Sequence, residues 1–266
     1  MTRRAMLALG AAAAGGVLAG CGRAARRADT HTAALSSSRA AGSPTSSTTR
    51  VPSSPPVGSA TRAAPVGPAV EFAHGPRTRA EVALTFHGAG DPGIARDLLA
   101  VFAAHRAAVT VLAVGSWLST YPAFAHDIVT GGHELGNHTY NHLDIDSLGQ
   151  QSAQQEIVRC RDLLLRLTGA GGAHFRPSQT QHASPLVLRL AGAAGYPVCL
   201  SYDIDSLDWT DPGADAVRRN VQAATAGSIV SMHFGHSGTV SAMPAILDDL
   251  AGRGLAPVTA TTLLRP

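Results

Sequence analysis

The chain has 266 residues, of which 45% are hydrophobic, 15% charged and 5% aromatic, which excludes a wholly disordered chain and a polytopic membrane protein. The formal net charge is +3, but residues 1–70 carry +7 and residues 71–266 carry −4. Because the basic charge is confined to the N-terminal part, it does not predict a nucleic-acid partner.

The first 21 residues have the features of an export signal. Arg3 and Arg4 form a short basic segment, and residues 7–19 form an apolar stretch that is too short for a stable membrane anchor. The stretch ends in Leu-Ala-Gly-Cys, which resembles a bacterial lipoprotein cleavage box, and the paired arginines resemble a twin-arginine export signal. We therefore predict that residues 1–21 are a lipoprotein signal peptide with a lipidated Cys21. This anchor predicts an exported protein held at the outer face of the bacterial cytoplasmic membrane.

The next segment, residues 22–70, has the composition of a linker. It is dominated by Ala, Ser, Thr, Pro and Arg and shows no sustained apolar periodicity. Such a composition predicts a disordered, semi-extended chain that holds a domain away from the membrane surface. The remaining residues, 71–266, are predicted to form that domain.

From residue 71 onward, apolar runs of strand length alternate with amphipathic segments of helix length. Strands are predicted at 81–86, 109–114, 174–176, 197–201, 228–233 and 257–259, with a further short segment at 134–136. Helices are predicted at 93–106, 121–130, 151–167, 185–194, 215–226 and 240–253. This α/β alternation predicts a parallel sheet with helices outside. About seven strands in about 196 residues fit a distorted (β/α) barrel better than a complete eightfold barrel, which typically needs about 250 residues.

Two cysteines lie in this domain, Cys160 in a predicted helix and Cys199 in a predicted strand. They are either buried free thiols or one disulfide, since export would permit a disulfide. We favour buried thiols.

Polar groups collect at the predicted carboxyl ends of the strands, which meet at one face of a barrel. They are His87, His138, His142, Arg176, Asp203, Asp205, Asp208 and His233. The i, i+4 spacing of His138 and His142 suits a shared metal ion. Two further histidines, His182 and His236, lie in predicted loops near these groups, where we expect solvent-exposed side chains.

The order of these groups resembles the polysaccharide deacetylases, a carbohydrate esterase family that includes chitin and peptidoglycan deacetylases. The matching segments are Thr85-Phe-His-Gly88, His138-Thr-Tyr-Asn-His142, Phe175-Arg-Pro-Ser178, Asp205-Ser-Leu-Asp208-Trp209 and Ser231-Met-His233. The resemblance covers residues 80–264. It implies a distorted barrel of about seven strands, in agreement with the strand count above.

The resemblance also implies roles for individual residues. His138 and His142 would bind a divalent metal, with zinc expected, and His233 would be the general acid that protonates the leaving group. Asp208 would hydrogen-bond His233 and favour its protonated form.

Three further residues take implied roles. Trp209 and Pro177 would contact the substrate, and Arg176 supports a catalytic aspartate in the family.

That aspartate is absent here, because the two acids of the family's first motif are replaced by His87 and Gly88. In the family the first acid is the general base and the second is the third metal ligand. His87 could supply the third ligand and give a three-histidine site that activates water without a strong base. Alternatively, His87 is the base, and Asp91 or water completes the metal shell. The third interpretation is a catalytically inactive site.

The sequence thus predicts a metal-dependent deacetylase that hydrolyses acetamide or acetyl ester groups on a cell-envelope polysaccharide, either peptidoglycan or a chitin-like glycan. The alternative is a catalytically inactive, deacetylase-like lipoprotein that binds glycan or assists envelope assembly, with Trp209 as a stacking surface.

Overall fold

The computed structural model describes residues 67–266. The predicted signal peptide, Cys21 and most of the predicted linker lie outside the described residues. The strands are β1 (Val70–Phe72), β2 (Glu81–Gly88), β3 (Thr110–Ala113), β4 (Glu134–Asn137), β5 (Val198–Leu200), β6 (Ile204–Asp205), β7 (Ile229–His233) and β8 (Ala256–Pro257). The α-helices are α1 (Pro92–His105), α2 (Gly115–Thr120), α3 (Ala123–Thr130), α4 (Gln150–Thr168), α5 (Pro185–Ala193), α6 (Ala214–Val221), α7 (Ser237–Gly252) and α8 (Ala260–Leu264).

The named strands pair in parallel, in the order β4-β3-β2-β7-β6. β8 pairs with the start of β2, and β1 pairs with β5. A single residue, Phe175, bridges Asn137 at the end of β4 to Cys199 in β5, so it connects the two groups of strands. The predicted distorted barrel of parallel strands with outer helices is therefore confirmed.

The alternation of side chains along β2 separates the core into an outer and an inner layer. Even-numbered residues 82–86 are buried in the outer layer with side chains of α1 and α7. Ala83 belongs to the inner cluster, and Thr85 is also fully buried. The same period of two brings His87 to the inner side of β2, at its carboxyl end.

Several elements differ from the sequence prediction. The helix predicted at 121–130 is α3, which begins two residues later, and it is preceded by α2, which was not predicted. α2 is only six residues long, which is too short to show a helical period. The strand predicted at 174–176 is reduced to the bridging residue Phe175. Within the predicted linker, β1 already begins at Val70, because it finds a parallel partner in β5.

Both cysteines in the described residues are buried free thiols, as we favoured from the sequence. Burial raises the pKa of Cys160 and that of Cys199 to about 12, so both remain protonated at neutral pH. Among the described helices, none combines the length and the apolar character needed to cross a membrane.

Two loops at the carboxyl ends of the strands are in close backbone contact. Gly90, after β2, has φ +110°, and a Cβ added there would overlap the Cα of Gly235, after β7. Trp117 donates its Nε1–H to the Gly90 carbonyl over 2.9 Å. Glycine at position 90 therefore allows the loops that follow His87 and His233 to lie against each other.

Candidate active site

Four histidines meet at the carboxyl ends of the strands. His87 and His233 are register partners in β2 and β7, and their ring centroids are 4.4 Å apart. The ring of His138, which follows β4, lies 4.2 Å from that of His87, and His142 lies 4.8 Å from His138. The structure thus brings together the histidines that the sequence placed at separate strand ends.

Three of these histidines form a group that fits a metal ion. Each of His87, His138 and His142 offers a ring nitrogen, and these nitrogens lie within 4.8 Å of one another. The Nδ1 of His138 lies 3.1 Å from the carbonyl oxygen of Arg176, which assigns the proton to Nδ1 and leaves the lone pair on Nε2.

The remaining contacts of this group also fit a cation. The Nε2 of His142 is 3.1 Å from the Nε2 of His138, and the buried Nε2 of His87 has no hydrogen-bond partner within residues 67–266. A cation among the three rings would contact the Nε2 atoms of His138 and His142, which otherwise face each other. It would also give a partner to the Nε2 of His87, which has none within residues 67–266. Three imidazole donors are a ligand set that zinc accepts.

The environment keeps these rings neutral. Burial lowers the pKa of His87 and that of His138 well below the usual histidine value, and the charges of neighbouring histidines lower both further. Burial also lowers the pKa of His142. Neutral imidazole is the form that binds metal, so the site is prepared for a cation at neutral pH.

Asp91 is not part of this group. Its Oδ1 accepts hydrogen bonds from the backbone N–H of Gly93 at 2.6 Å and of Ile94 at 3.2 Å, so Asp91 is the N-cap of α1. The following Pro92 occupies the first helical position, where its missing N–H costs nothing. The alternative in which Asp91 completes the metal shell is therefore wrong.

A side chain at position 88, where the family carries a carboxylate, would be in close contact with β3. A Cβ on Gly88 would lie 2.8 Å from Val111 Cγ1 and 3.1 Å from the Cα of Ala113, its partner in β3. Glycine itself offers no side-chain ligand, and a larger residue would require Val111 and the β3 backbone to shift. Among the candidates from the first motif, this leaves His87 as the third nitrogen donor.

His233 is held by a buried carboxylate. Its Nδ1 lies 2.7 Å from Oδ1 of Asp208, and its backbone N–H donates to Oδ2 over 2.8 Å. The hydroxyl of Thr239 donates to the same Oδ2 over 2.7 Å. Burial would raise the pKa of Asp208, but the hydrogen bonds and charge of His233 outweigh it and the pKa is lowered. The ionised Asp208 therefore fixes the His233 ring with Nε2 free.

Arg176 is only 1% exposed, and none of its hydrogen bonds within residues 67–266 is to a carboxylate. Its Nε donates to the Leu200 carbonyl over 3.0 Å, and its Nη2 donates to Thr85 Oγ1 over 2.9 Å and to the Ser201 carbonyl over 3.1 Å. Its Nη1 has no partner within the described part of the chain. Burial lowers the pKa of Arg176 to about 10, so it stays charged at neutral pH. Without the family's aspartate, Arg176 connects the ends of β2 and β5.

Two cavities of about 530 and 580 Å³ extend from the histidines, and both are lined by His87, His142 and His233. We call them the Trp209 cavity and the Trp117 cavity, after the tryptophan that lines each. Trp209 is 54% exposed at the rim of its cavity, which agrees with a substrate contact. Pro177 is buried and lines neither cavity, so its substrate contact stays a prediction. The chain there turns inward to bury Arg176 and Ser178.

The sequence analysis missed Glu156, a carboxylate on α4 that is only 5% exposed. Its Oε2 accepts the backbone N–H of Tyr140 at 3.0 Å and of Asn141 at 2.6 Å, and its Oε1 accepts Asn141 Nδ2 at 2.6 Å. These bonds hold the loop that carries His138 and His142. An acid on the apolar face of a predicted helix was the signal available in the sequence.

The same loop is strained and is held from its other side as well. Thr139 and His142 have φ of 64° and 57°, a left-handed conformation that costs about 1–3 kcal/mol per residue. Asn137 Oδ1 accepts the N–H of Thr139 at 2.8 Å, the Thr139 hydroxyl donates to Ser178 Oγ at 3.0 Å, and Gln179 Nε2 donates to the His142 carbonyl at 2.8 Å. These contacts compensate the strain and fix both histidines.

Comparisons with known proteins agree with this arrangement. A family model described as polysaccharide deacetylase matches residues 74–199. A chitooligosaccharide deacetylase from Rhizobium leguminosarum bv. phaseoli is 30% identical over 160 residues, which cover 59% of this chain and 69% of that protein.

Solved structures include similar folds. A peptidoglycan N-acetylglucosamine deacetylase in complex with 4-naphthalen-1-yl-N-oxidanyl-benzamide superposes with a TM-score of 0.69 at 27% identity, covering 74% of this chain and 93% of the other. A CE4 family pseudoenzyme from Bacillus anthracis has a TM-score of 0.69 at 22% identity, covering 74% and 69%, and this second likeness concerns the fold alone.

The clamp on the histidine loop gives a first prediction. We expect Glu156→Ala to weaken Co²⁺ binding about 10- to 100-fold, because residues that orient metal ligands contribute to affinity on this scale. Isothermal titration calorimetry measures the affinity, and circular dichroism checks that the fold is kept. Gln155→Ala, at an exposed position of the same helix, is the control and should leave binding unchanged. Equal Co²⁺ affinity in Glu156→Ala and the wild type would contradict the clamp.

The buried histidines give a second prediction, on the pH dependence of stability. In the unfolded chain histidines take up protons near pH 6.5, whereas folding lowers the pKa of His87 and His138 well below that value. The unfolded state therefore binds more protons, and the free energy of unfolding should fall as pH drops from 7 to 5, by at most about 1.4 kcal/mol per pH unit for each group.

Urea denaturation of the metal-free protein in chelator measures this slope. His87→Gln should flatten it, whereas His126→Gln, at an exposed site on α3, should leave it unchanged. A stability that stays level or rises as pH falls from 7 to 5 would refute the assignment.

Proposed function

The chain belongs to the polysaccharide deacetylase family, and from this premise we propose that it is a metal-dependent hydrolase that removes acetyl groups from a cell-envelope polysaccharide. The observation that carries the proposal is the group of His87, His138 and His142, which faces two cavities beside the His233–Asp208 pair. The bond broken is a carbon–nitrogen bond of an acetamide, or a carbon–oxygen bond of an acetyl ester. Relatives named as chitooligosaccharide and peptidoglycan N-acetylglucosamine deacetylases support this class of substrate.

The three histidines would hold the metal through neutral ring nitrogens, and zinc is the ion that we propose. When bound, such an ion polarises the acetyl carbonyl and lowers the pKa of a water in the site. The protein supplies donors fixed in advance, because the Arg176 carbonyl orients His138 and the Glu156 clamp holds the loop of His142.

His233 is proposed as the general acid. Water gives one proton to the solvent and adds its oxygen to the acetyl carbon, and the leaving amine or alkoxide takes a proton from His233 Nε2 as its bond to that carbon breaks. The products are acetic acid and the amine or alcohol, and the neutral His233 regains its proton from the solvent. Asp208 accepts the Nδ1–H of His233 at 2.7 Å and compensates the charge of its protonated ring. Because Thr239 and the His233 backbone both donate to the other oxygen of Asp208, the carboxylate cannot rotate away.

A second candidate function is a catalytically inactive, deacetylase-like protein that binds glycan or assists envelope assembly. It is favoured by the loss of both acids of the first motif, since His87 and Gly88 stand in their places and a side chain at position 88 would press against β3. Arg176, which bonds no carboxylate in the part of the chain that the structure describes, is a further departure from the family. In this case Trp209 would serve as a stacking surface for sugar.

One experiment separates the two functions. Protein purified without chelator is expected to contain about one equivalent of metal by elemental analysis, and to release acetate from acetylated chito-oligosaccharides or peptidoglycan when zinc or cobalt is added. His138→Ala should lose the metal, and His233→Ala should keep it but lose about 10²- to 10⁴-fold in kcat. His126→Ala is the control for the loss of an exposed histidine. A protein without metal and without acetate release would support the inactive alternative.

A His87 variant decides the role of that residue in the same assay. If His87 is a ligand, His87→Ala should lose the metal. Metal retained with acetate release lost would instead make His87 the general base, and no change in either would exclude both roles.

The location is proposed from sequence alone, because the signal peptide and Cys21 lie outside the described residues. We propose a lipid anchor on Cys21 at the outer face of the cytoplasmic membrane. Metabolic labelling with an alkyne fatty acid should mark the wild-type protein, and Cys21→Ser should abolish the label. Equal labelling of both proteins would exclude Cys21 as the lipid site.

A further inference from the structure

We propose that Glu71 is a positioning residue for substrate binding, because it holds a loop that forms part of the wall of the Trp209 cavity. The loop is residues 179–183, which we call the cavity loop, and its first three residues line the cavity. The inference rests on the proposed function, because it takes the Trp209 cavity as a glycan site. Glu71 precedes residue 74, at which the match to the family begins, so the resemblance gives it no role.

Glu71 contacts the cavity loop through both of its carboxylate oxygens. Oε1 accepts the backbone N–H of Ala183 over 2.7 Å, and Oε2 lies 3.0 Å from Nδ1 of His182. The side chain of Glu71 is 22% exposed, so these contacts are partly shielded from water. Hydrogen bonds to a charged acceptor are stronger than those between neutral groups, and two of them from one carboxylate fix the loop in direction as well as in position.

The second partner of Glu71, His182, is exposed but oriented. The sequence analysis expected exposed side chains at His182 and His236, and these side chains are 62% and 23% exposed. The Nδ1 of His182 faces both Glu71 and, at 3.5 Å, the Oγ of Ser201, which directly follows β5. One edge of the imidazole is therefore directed at the protein, although most of the ring is in solvent.

The other contacts of the cavity loop hold its beginning and its middle. Gln179 has φ of 58°, a left-handed conformation that is unfavourable for glutamine, and its Nε2 donates to the His142 carbonyl over 2.8 Å. Gln181 Nε2 donates to the Tyr202 carbonyl over 2.9 Å. Both bonds are made by neutral amides at exposed positions. Glu71 adds a charged acceptor at the end of the loop, just before the chain enters α5.

Glu71 is itself held firmly, because the segment that carries it is bonded on two sides. We call this segment, residues 67–72, the strap. Its strand, β1, pairs in parallel with β5, and the N–H of Ala69 donates to the Leu188 carbonyl of α5 over 2.9 Å. A Cβ at Gly192 of α5 would lie 2.0 Å from the carbonyl oxygen of Gly67, so glycine allows this close approach. The strap therefore gives Glu71 a fixed base.

The alternation of β1 directs Glu71 toward the loop and its neighbours toward solvent. Val70 and Phe72 are 58% and 36% exposed, and they lie on the opposite side of the strand from Glu71. Within β1 the contact with the cavity loop is thus made by the side chain of Glu71. Val70 offers a matched control on the same strand.

Release of the end of the loop should weaken binding rather than chemistry. A loop with fewer anchors populates more conformations, and the apparent affinity for a glycan falls with the fraction of molecules that are competent to bind. The proposed metal ligands are held separately, because Glu156 bonds the loop that carries His138 and His142. We therefore expect loss of the Glu71 carboxylate to change Kd and KM and to leave kcat in place.

Isothermal titration calorimetry with an N-acetylglucosamine tetramer tests the binding effect. The full chain is kept metal-free, so that the tetramer is bound and not hydrolysed. Glu71→Ala should raise the Kd about five- to tenfold, because the loop loses two hydrogen bonds to a charged acceptor. Glu71→Gln should raise it only about twofold, because an amide oxygen can still accept the N–H of Ala183. Val70→Ala should leave the Kd unchanged, and circular dichroism checks the fold of each variant.

Two results would overturn the proposal at this stage. One is a wild-type Kd in Glu71→Ala. The other is an effect of Val70→Ala as large as that of Glu71→Ala, because it would show that β1 matters only as a strand. If the alanine variant does not fold, the ranking of Glu71→Gln between wild type and His182→Ala/Glu71→Gln tests the same contacts.

A double-mutant cycle and the kinetics of the zinc-loaded enzyme test how Glu71 acts. His182→Ala should raise the Kd about two- to threefold in the wild type and leave it unchanged in Glu71→Ala, because His182 acts through Glu71. Glu71→Ala should raise KM by the same factor as the Kd and keep kcat within about twofold. Additive effects in the cycle, or a loss of kcat at an unchanged KM, would contradict the assigned role.

The wild-type protein separates failure of this inference from failure of the proposed function. If the wild type binds the tetramer and Glu71→Ala binds it equally well, the positioning role is wrong and the proposed function stands. If the wild type binds neither the tetramer nor soluble peptidoglycan fragments, the proposed substrate class is wrong, and the role of Glu71 falls with it.

Discussion

The register of β2 between β3 and β7 is the constraint on which the site depends. It places His87 opposite His233 in β7 and places Gly88 opposite Ala113 in β3. At the next position the side-chain direction reverses, so that a side chain at position 88 would press against Val111 and Ala113 of β3. The first motif can therefore contribute one donor to the site from position 87, and that donor is a histidine.

The histidine group is held by residues that flank the five matching segments as well as by residues within them. Glu156, Asn137 and Gln179 bind the backbone around His138 and His142, and they compensate a loop in which two residues are left-handed. A loop that is strained when free and well bonded when folded has few alternative conformations. The geometry of the proposed metal ligands is thus a property of α4 and of the segment after Phe175 as much as of the histidines themselves.

The sequence predicted the barrel and the histidine cluster, because both follow from patterns that repeat along the chain. Strands of five or more residues and long helices leave a period, and polar residues after each strand must meet at one face of a parallel barrel. The role of Asp91 could not be predicted, because an acid near a motif can be a metal ligand or a helix cap. Only the position of the α1 backbone decides between these two roles. The burial of Pro177 and the contacts of Glu156 depend on the direction in which each side chain points, which no pattern in the sequence shows. The six residues of α2 are too few to show a helical period.

The close contact between Gly88 and β3 has a consequence for how this branch of the family can change. An acid at position 88 would require Val111 and the backbone at Ala113 to shift, so a reversion at this one position would disturb the strand that pairs with β2. A prior substitution that made room in the neighbouring strand would leave a gap in the core and cost stability. The packing around position 88 therefore opposes a return to the usual first motif, whatever the chemistry of the site requires.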